Sequence, residues 1–177
     1  MRVIQVPAHV LTTKAETIVK FDNKLLKLVE EMIDTLEKTK DPEGVGLAAV
    51  QVGIAKRIFV MNTRPESTRG GKYESFINPK IIEKEKDKAD KVLEGCLSIE
   101  NIWGYPERAS GVKLVYQDLK GKKHIKKFIG FGAVIVQHEV DHLQGRLFTH
   151  RVIEEGKDLY RIDKDENGES ELIPLEL

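Results

Sequence analysis

His138 and His142 stand four residues apart in the segment Gln137-His138-Glu139-Val140-Asp141-His142, and that spacing constrains the chain more than any other feature. On a helix, at about 100° per residue, the two positions lie about 40° apart and one turn along the axis, so both imidazoles can reach one ion. A fold that uses them must keep this stretch helical and bring further donors to the same face. Glu139, one step along, need not be a ligand and is suited to take a proton from activated water. The plainer alternative is a helix whose histidines satisfy hydrogen bonds at a surface. The helix is expected from about Gly130 to Gln144, with Gly145 as its stop.

Two imidazoles need at least one more protein ligand, and the single cysteine, Cys96, lies in Glu94-Gly95-Cys96-Leu97-Ser98. A thiolate suits zinc or ferrous iron, and two nitrogens plus one sulfur leave the fourth tetrahedral position open to water, as catalytic sites do. The competing reading is a small buried apolar residue, a common fate of a lone cysteine. A single thiol excludes an internal disulfide and suits a reducing compartment.

Around these residues the chain separates into helical and extended runs. Over residues 22–39, Leu25, Val29, Met32, Ile33 and Leu36 fall on one helical face, with Asp22 as N-cap and Asp41-Pro42 beyond the end. Residues 44–53 are rich in glycine and small side chains, which lets backbone approach another group closely. Strands are expected over residues 58–61 and 76–82, the second broken at Asn78-Pro79, with a polar loop over 62–71 between them. The mixed charges of residues 83–91 read as a solvated connection. Alternation at Val112, Leu114 and Tyr116, then the turn Asp118-Leu119-Lys120-Gly121 and residues 123–129, predicts a hairpin. Residues 159–162 and 172–174 predict another, turning at Asn167-Gly168. The expectation is an α+β fold of antiparallel β-sheets around a central helix carrying the His-Glu-Val-Asp-His motif. It adds an N-terminal amphipathic helix and a C-terminal β-hairpin, in a single catalytic domain over residues 1–177.

Composition closes off other classes. With 40% hydrophobic and 33% charged residues in 177, the chain has enough apolar surface to fold. Twenty-nine basic residues against twenty-nine acidic ones leave no net field toward nucleic acid or anionic lipid. No apolar run approaches the roughly 18 residues of a membrane span, and the first residues lack the apolar stretch of a signal peptide, so a soluble cytoplasmic protein is expected.

Three segments, Gly44-Val45-Gly46-Leu47-Ala48-Ala49-Val50-Gln51, Glu94-Gly95-Cys96-Leu97-Ser98 and Gln137-His138-Glu139-Val140-Asp141-His142-Leu143, resemble in order the three signatures of the peptide deformylase family. The similarity runs from about Pro7 to Phe148 and includes Ile77-Asn78-Pro79 and Arg108. It implies an enzyme that removes the formyl group from the N-terminal methionine of nascent polypeptides. Its partners would be N-formylmethionyl peptides. By motif position, Cys96, His138 and His142 would ligate one divalent metal, usually Fe(2+), with Zn(2+), Ni(2+) or Co(2+) as alternatives. Glu139 would be general acid and base, and the Gln51 amide and Leu97 N–H would hold the formyl oxygen. Val45, Gly46 and Gly95 would bind the substrate, its backbone lying like an added strand.

Further positions carry two readings each. Val134, Ile135 and Phe131 either line the methionine pocket or belong to the core. Trp103 and Tyr105 are rim residues or simple packing. Glu94 is suited to orient a ligand imidazole and Asp141 to pair with Arg108, whereas His9, His124 and His150 are expected at the surface without a role. The start, Val6-Pro7-Ala8-His9-Val10, lacks the family's Pro-Asp-Pro pattern, and Glu100-Asn101 follow the middle motif where proline and glycine are common. The acidic segment beyond His150 disfavours RNA, so at most weak or transient ribosome contact and no direct nucleic-acid specificity are expected. Two other classes stay open at this level: an HExxH endopeptidase with a ligand downstream of the helix, and a silent metal- or peptide-binding module.

Overall fold

The computed structural model describes residues 1–40, 43–63, 71–164 and 169–176. Helix α1 (Asn23–Lys38) begins where expected, because the Asp22 carboxylate accepts from the Lys24 and Leu25 amides at 3.0 and 3.1 Å. Leu25, Val29, Met32 and Leu36 are buried, and Ile33 packs at the edge of the same cluster. The expected stop at Asp41-Pro42 lies outside the described residues; the helix ends at Lys38, where Thr39 turns extended.

Beneath α1 runs a five-stranded antiparallel sheet. Its strands are β1 (Gly46–Ala48), β2 (Ile58–Asn62), β3 (Tyr73–Lys84), β6 (Gly111–Gln117) and β7 (Lys123–Ile129), in the order β1-β2-β3-β6-β7. A second antiparallel sheet contains β4 (Glu94–Cys96), β5 (Ile99–Gly104), β8 (Leu159–Lys164) and β9 (Ser170–Pro174), in the order β4-β5-β8-β9. The architecture is α+β with antiparallel sheets, as the segregated runs implied.

Asn78-Pro79 does not break β3. Asn78 adopts φ 51°, the register shifts between Ile77 and Lys80, and the Asn78 amide bonds both the N–H and the carbonyl of Ile18 at 2.8 Å. The pair is a bulge that ties the strand to the N-terminal segment. β3 therefore reaches Lys84, so Glu83 of the charged run pairs with Lys113 instead of belonging to a free connection. Residue 62 closes β2 rather than opening the expected loop, most of which lies outside the described residues. The turn at Asn167-Gly168 also lies outside them, although the hairpin arms β8 and β9 pair as expected.

Helix α2 (Gly130–His142) packs on the five-stranded sheet and has nine buried residues. It ends at His142, short of Gln144, and Gly145 turns the chain at φ 74°. A side chain at Gly145 would meet the Thr12 carbonyl at 2.4 Å, so the turn needs glycine for space as well as for φ. The short helix α3 (Phe148–Glu154), which the sequence did not predict, follows and packs on the second sheet. Among the described residues no helix is long and apolar enough to cross a membrane.

Candidate metal centre

Cys96 ends β4 and meets α2 from the side of the smaller sheet. Its Sγ lies 3.3 Å from His142 Nε2, which lies 3.2 Å from His138 Nε2, and the three donor atoms fall within 4.8 Å of one another. Tetrahedral coordination with metal–nitrogen bonds near 2.0–2.1 Å and metal–sulfur near 2.3 Å gives donor separations of about 3.4 and about 3.6 Å. The two short separations are close to these values, and the cluster of three donors could together hold a metal ion. Its electrostatics agree: burial would raise the Cys96 thiol, yet the His142 and His138 imidazoles bring it down to about 5, a thiolate at neutral pH. Burial disfavours charge on His138, but Cys96 and Glu94 outweigh it and raise that imidazole well above its usual value. The pocket is built to hold positive charge. Cys96 is buried, but with its sulfur on two imidazoles it is not an inert apolar filler.

Behind the three donors lies a buried ionic network. Glu94 Oε2 meets His138 Nδ1 at 2.9 Å, so the imidazole's tilt is set from outside the donor cluster. Arg108 grips Glu94 through Nε and Nη2 at 2.7 and 2.8 Å and donates to Asp141 through Nη1 at 2.6 Å. Both expected partnerships are present. Burial raises the Glu94 carboxyl, but Arg108 and His138 overcome it and hold it at about 2. Asp141 is likewise held below its usual range, Arg151 and Arg108 outweighing its burial. Arg151 of α3, which sequence reasoning missed, binds Asp141 with two bonds of 2.5 and 2.6 Å.

Glu139 faces the other way. It is 3% exposed, its Oε2 has no hydrogen-bond partner among the described residues, and burial outweighs the nearby imidazoles to raise its carboxyl to about 7. Gly46 backs onto this carboxylate, and a Cβ there would stand 2.5 Å from Oε1. Gln51 is locked by the Ala48 N–H, which donates to its Oε1 at 2.8 Å, and this turns Nε2 toward Ser98 Oγ at 3.3 Å and Cys96 Sγ at 3.5 Å. Ser98 was not anticipated.

A cavity of about 190 Å³ opens beside the donors, lined by Val45, Gly46, Gln51, Gly95, Leu97, Trp103, Phe131, Val134, Ile135 and Glu139 among others. Every residue expected to bind substrate or catalyse therefore borders one space. Val92 and Leu93, which carried no sequence signal, also line it. Tyr105 does not: its ring packs on Tyr160 at 5.9 Å and under Lys91 at 4.2 Å, so of the two aromatic residues Trp103 borders the cavity and Tyr105 serves as packing. His9 and His150 are exposed, but His124 is half-buried against Asp118 at 2.7 Å.

Comparison with known proteins decides the family. A family model described as polypeptide deformylase matches residues 1–158. Peptide deformylase 1 of Bacillus subtilis is 42% identical over 151 residues, covering 85% of this chain and 89% of its own length. The chain belongs to the polypeptide deformylase family. Among solved deformylase structures, that of Thermotoga maritima is 37% identical with a TM-score of 0.75, over 85% of this chain and 95% of its own. A Met-Ala-Ser-bound deformylase from Acinetobacter baumannii is 35% identical with a TM-score of 0.76, over 85% and 97%. This deformylase thus shares its family's fold and antiparallel sheets.

Proposed function

We propose that this deformylase releases formate from N-formylmethionyl ends of nascent polypeptides through a metal held by Cys96, His138 and His142. The observation that carries the reading is the union of three converging donors with a buried carboxylate oxygen, Glu139 Oε2, that has no hydrogen-bond partner among the described residues. A divalent ion there, Fe(2+) as the family's usual metal with Zn(2+), Ni(2+) or Co(2+) as substitutes, supplies Lewis acidity that makes water nucleophilic near neutral pH.

The protein's own groups do the rest. Glu139, whose carboxyl stands near neutrality, takes the proton of the attacking water at Oε2 and returns it to the departing amine. Gln51 Nε2, aimed by the Ala48 amide, and the Leu97 N–H donate to the formyl oxygen as negative charge develops on it. The peptide lies along β1, which ends the order of the larger sheet, and its backbone meets Val45 and Gly46 on one wall and Gly95 on the other. The Val45 carbonyl already accepts from the Asn62 N–H, so its own N–H is the group offered to the peptide. The methionine side chain enters the apolar part of the cavity, between Phe131, Val134 and Ile135. The relative crystallised with Met-Ala-Ser supports a methionine-first ligand.

Residues 1–177 act as one catalytic unit in the cytoplasm, and any ribosome contact is weak or transient. The endopeptidase alternative loses its footing because Cys96 supplies the third donor, while Glu154 and Glu155, just downstream, are engaged by Arg146 and by the Glu107 N–H. The test is anaerobic formate release from a formyl-Met peptide with iron-loaded and metal-free protein. Turnover only in the loaded form supports the reading, and turnover unaffected by metal removal overturns it.

A further inference from the structure

Arg151 sits on α3, outside the three family signatures and outside the cavity, yet it begins a continuous chain of ionic contacts that ends on a metal-site imidazole. Its guanidinium binds both oxygens of Asp141, at 2.5 and 2.6 Å. Asp141 Oδ2 also accepts from Arg108 at 2.6 Å, Arg108 grips both oxygens of Glu94, and Glu94 Oε2 reaches His138 Nδ1 at 2.9 Å. The inner members are nearly sealed from water: the side chains of Arg108, Glu94 and Asp141 are 2%, 5% and 7% exposed, against 20% for Arg151.

We infer that Arg151 is a positioning residue for the metal centre, acting through Asp141, Arg108 and Glu94 on His138. The inference rests on the reading of Cys96, His138 and His142 as ligands. Its first warrant is charge. The buried Asp141 carboxylate is paired with two guanidinium groups, and among the described residues removing Arg151 leaves it only Arg108, which Glu94 also holds. An unpaired buried charge is costly, so Arg108 is drawn toward Asp141 and away from Glu94. The second warrant is geometry. Glu94 Oε2 is shared between Arg108 Nη2 and His138 Nδ1, so any shift of the Arg108 plane moves the atom that orients the imidazole. Planar two-point pairing carries orientation along the chain in a way a point charge does not. Asp141 also precedes His142, so the same tether steadies the second imidazole's turn of α2.

The probe is Co(2+), whose thiolate charge-transfer and ligand-field absorption reports coordination and whose loss to a chelator gives a dissociation rate. Arg151→Gln is expected to shift the ligand-field bands and speed dissociation about tenfold, the low end for partners outside the ligand set. In metal-free protein, the same change is expected to alter the His138 ring nitrogen-15 shifts. Arg151→Lys, which keeps charge but not the fork, recovers part of the loss. Val152→Ala removes fully buried packing from α3 without touching Asp141, and serves as the stability control. It should lower the melting temperature and leave the dissociation rate alone. Combined with Glu94→Gln, Arg151→Gln should add little, because both cut one chain. Unchanged spectra and rate in Arg151→Gln, equal acceleration in Val152→Ala, or additive effects in the double variant would each overturn the inference. If the unaltered protein shows no thiolate-to-cobalt band, the ligand set itself is wrong, and the inference falls with it.

Discussion

On the side of α2 that faces the five-stranded sheet, Ala133, Val136, Val140 and Leu143 share one apolar cluster with Phe59, Phe76 and Phe128. Phe59 and Phe76 stack at 4.7 Å, and Phe76 meets Phe128 edge-on at 5.7 Å. On the side that faces β4 and α3, the same thirteen-residue helix offers His138, Asp141 and His142 to a cysteine, a glutamate and two arginines. Apolar burial is non-directional and spreads any loss over many neighbours. The ionic side is directional, and each group there has one to three partners at fixed angles. Substitutions on the two sides should therefore separate stability from chemistry.

The largest separation is expected from Glu139→Gln. It removes the proton carrier without touching the three donors, so formate release should fall by about 10²–10⁴-fold while metal content stays at the level of the unaltered protein. Phe76→Ala is the counterpart on the sheet side. It should cost about 3–5 kcal/mol of stability in denaturant titration, with metal content per folded molecule unchanged. If Phe76→Ala instead emptied the metal site at full folding, the two sides would not be separable.

Gly46→Ala tests the seam where they meet. The added methyl carbon lands 2.5 Å from Glu139 Oε1, so the carboxylate must move, and kcat should drop by about 100-fold with little change in melting temperature. The smallest effect concerns Glu74, at the rim of the aromatic cluster, where Lys126 binds its carboxylate at 2.7 Å and extends over the Phe128 ring. Burial alone would raise the Glu74 carboxyl, but Lys126 and Lys72 outweigh it and bring it below 4.5. A carboxyl depressed in the folded state stabilises above its unfolded value, and that share is lost as pH falls through the folded one. Glu74→Gln should flatten the acid side of the stability profile below about pH 4.5 and leave the profile of formate release unmoved.

These two sides of α2 were not equally legible. The apolar framework showed itself through periodicity in α1, alternation in β6 and capping at Asp22, because each is a local consequence of backbone geometry. The His138–His142 pair was readable for the same reason, and Cys96 became readable as the one soft donor left. What could not be read were groups joined only by the fold. Ser98 meets Gln51 across 47 residues. Arg151 reaches Asp141 around the turn at Gly145, with nothing periodic to mark it. β1 and β4 are three residues long, too short for any repeat to register, yet they carry Gly46 and Cys96. Asn78-Pro79 misled in the opposite sense, since a side-chain tie to Ile18 let the strand continue through a proline.

The family match stops at residue 158, one residue before β8. The β8–β9 hairpin that follows joins β5 through Trp103↔Tyr160 and Gly104↔Leu159. Without it, β5 would expose a row of unsatisfied amides and carbonyls next to the strand turn that carries Cys96, an open invitation to pair with another copy of the chain. The acidic hairpin thus carries the open border of that sheet outward from β5 to β9, away from the strand turn that bears Cys96.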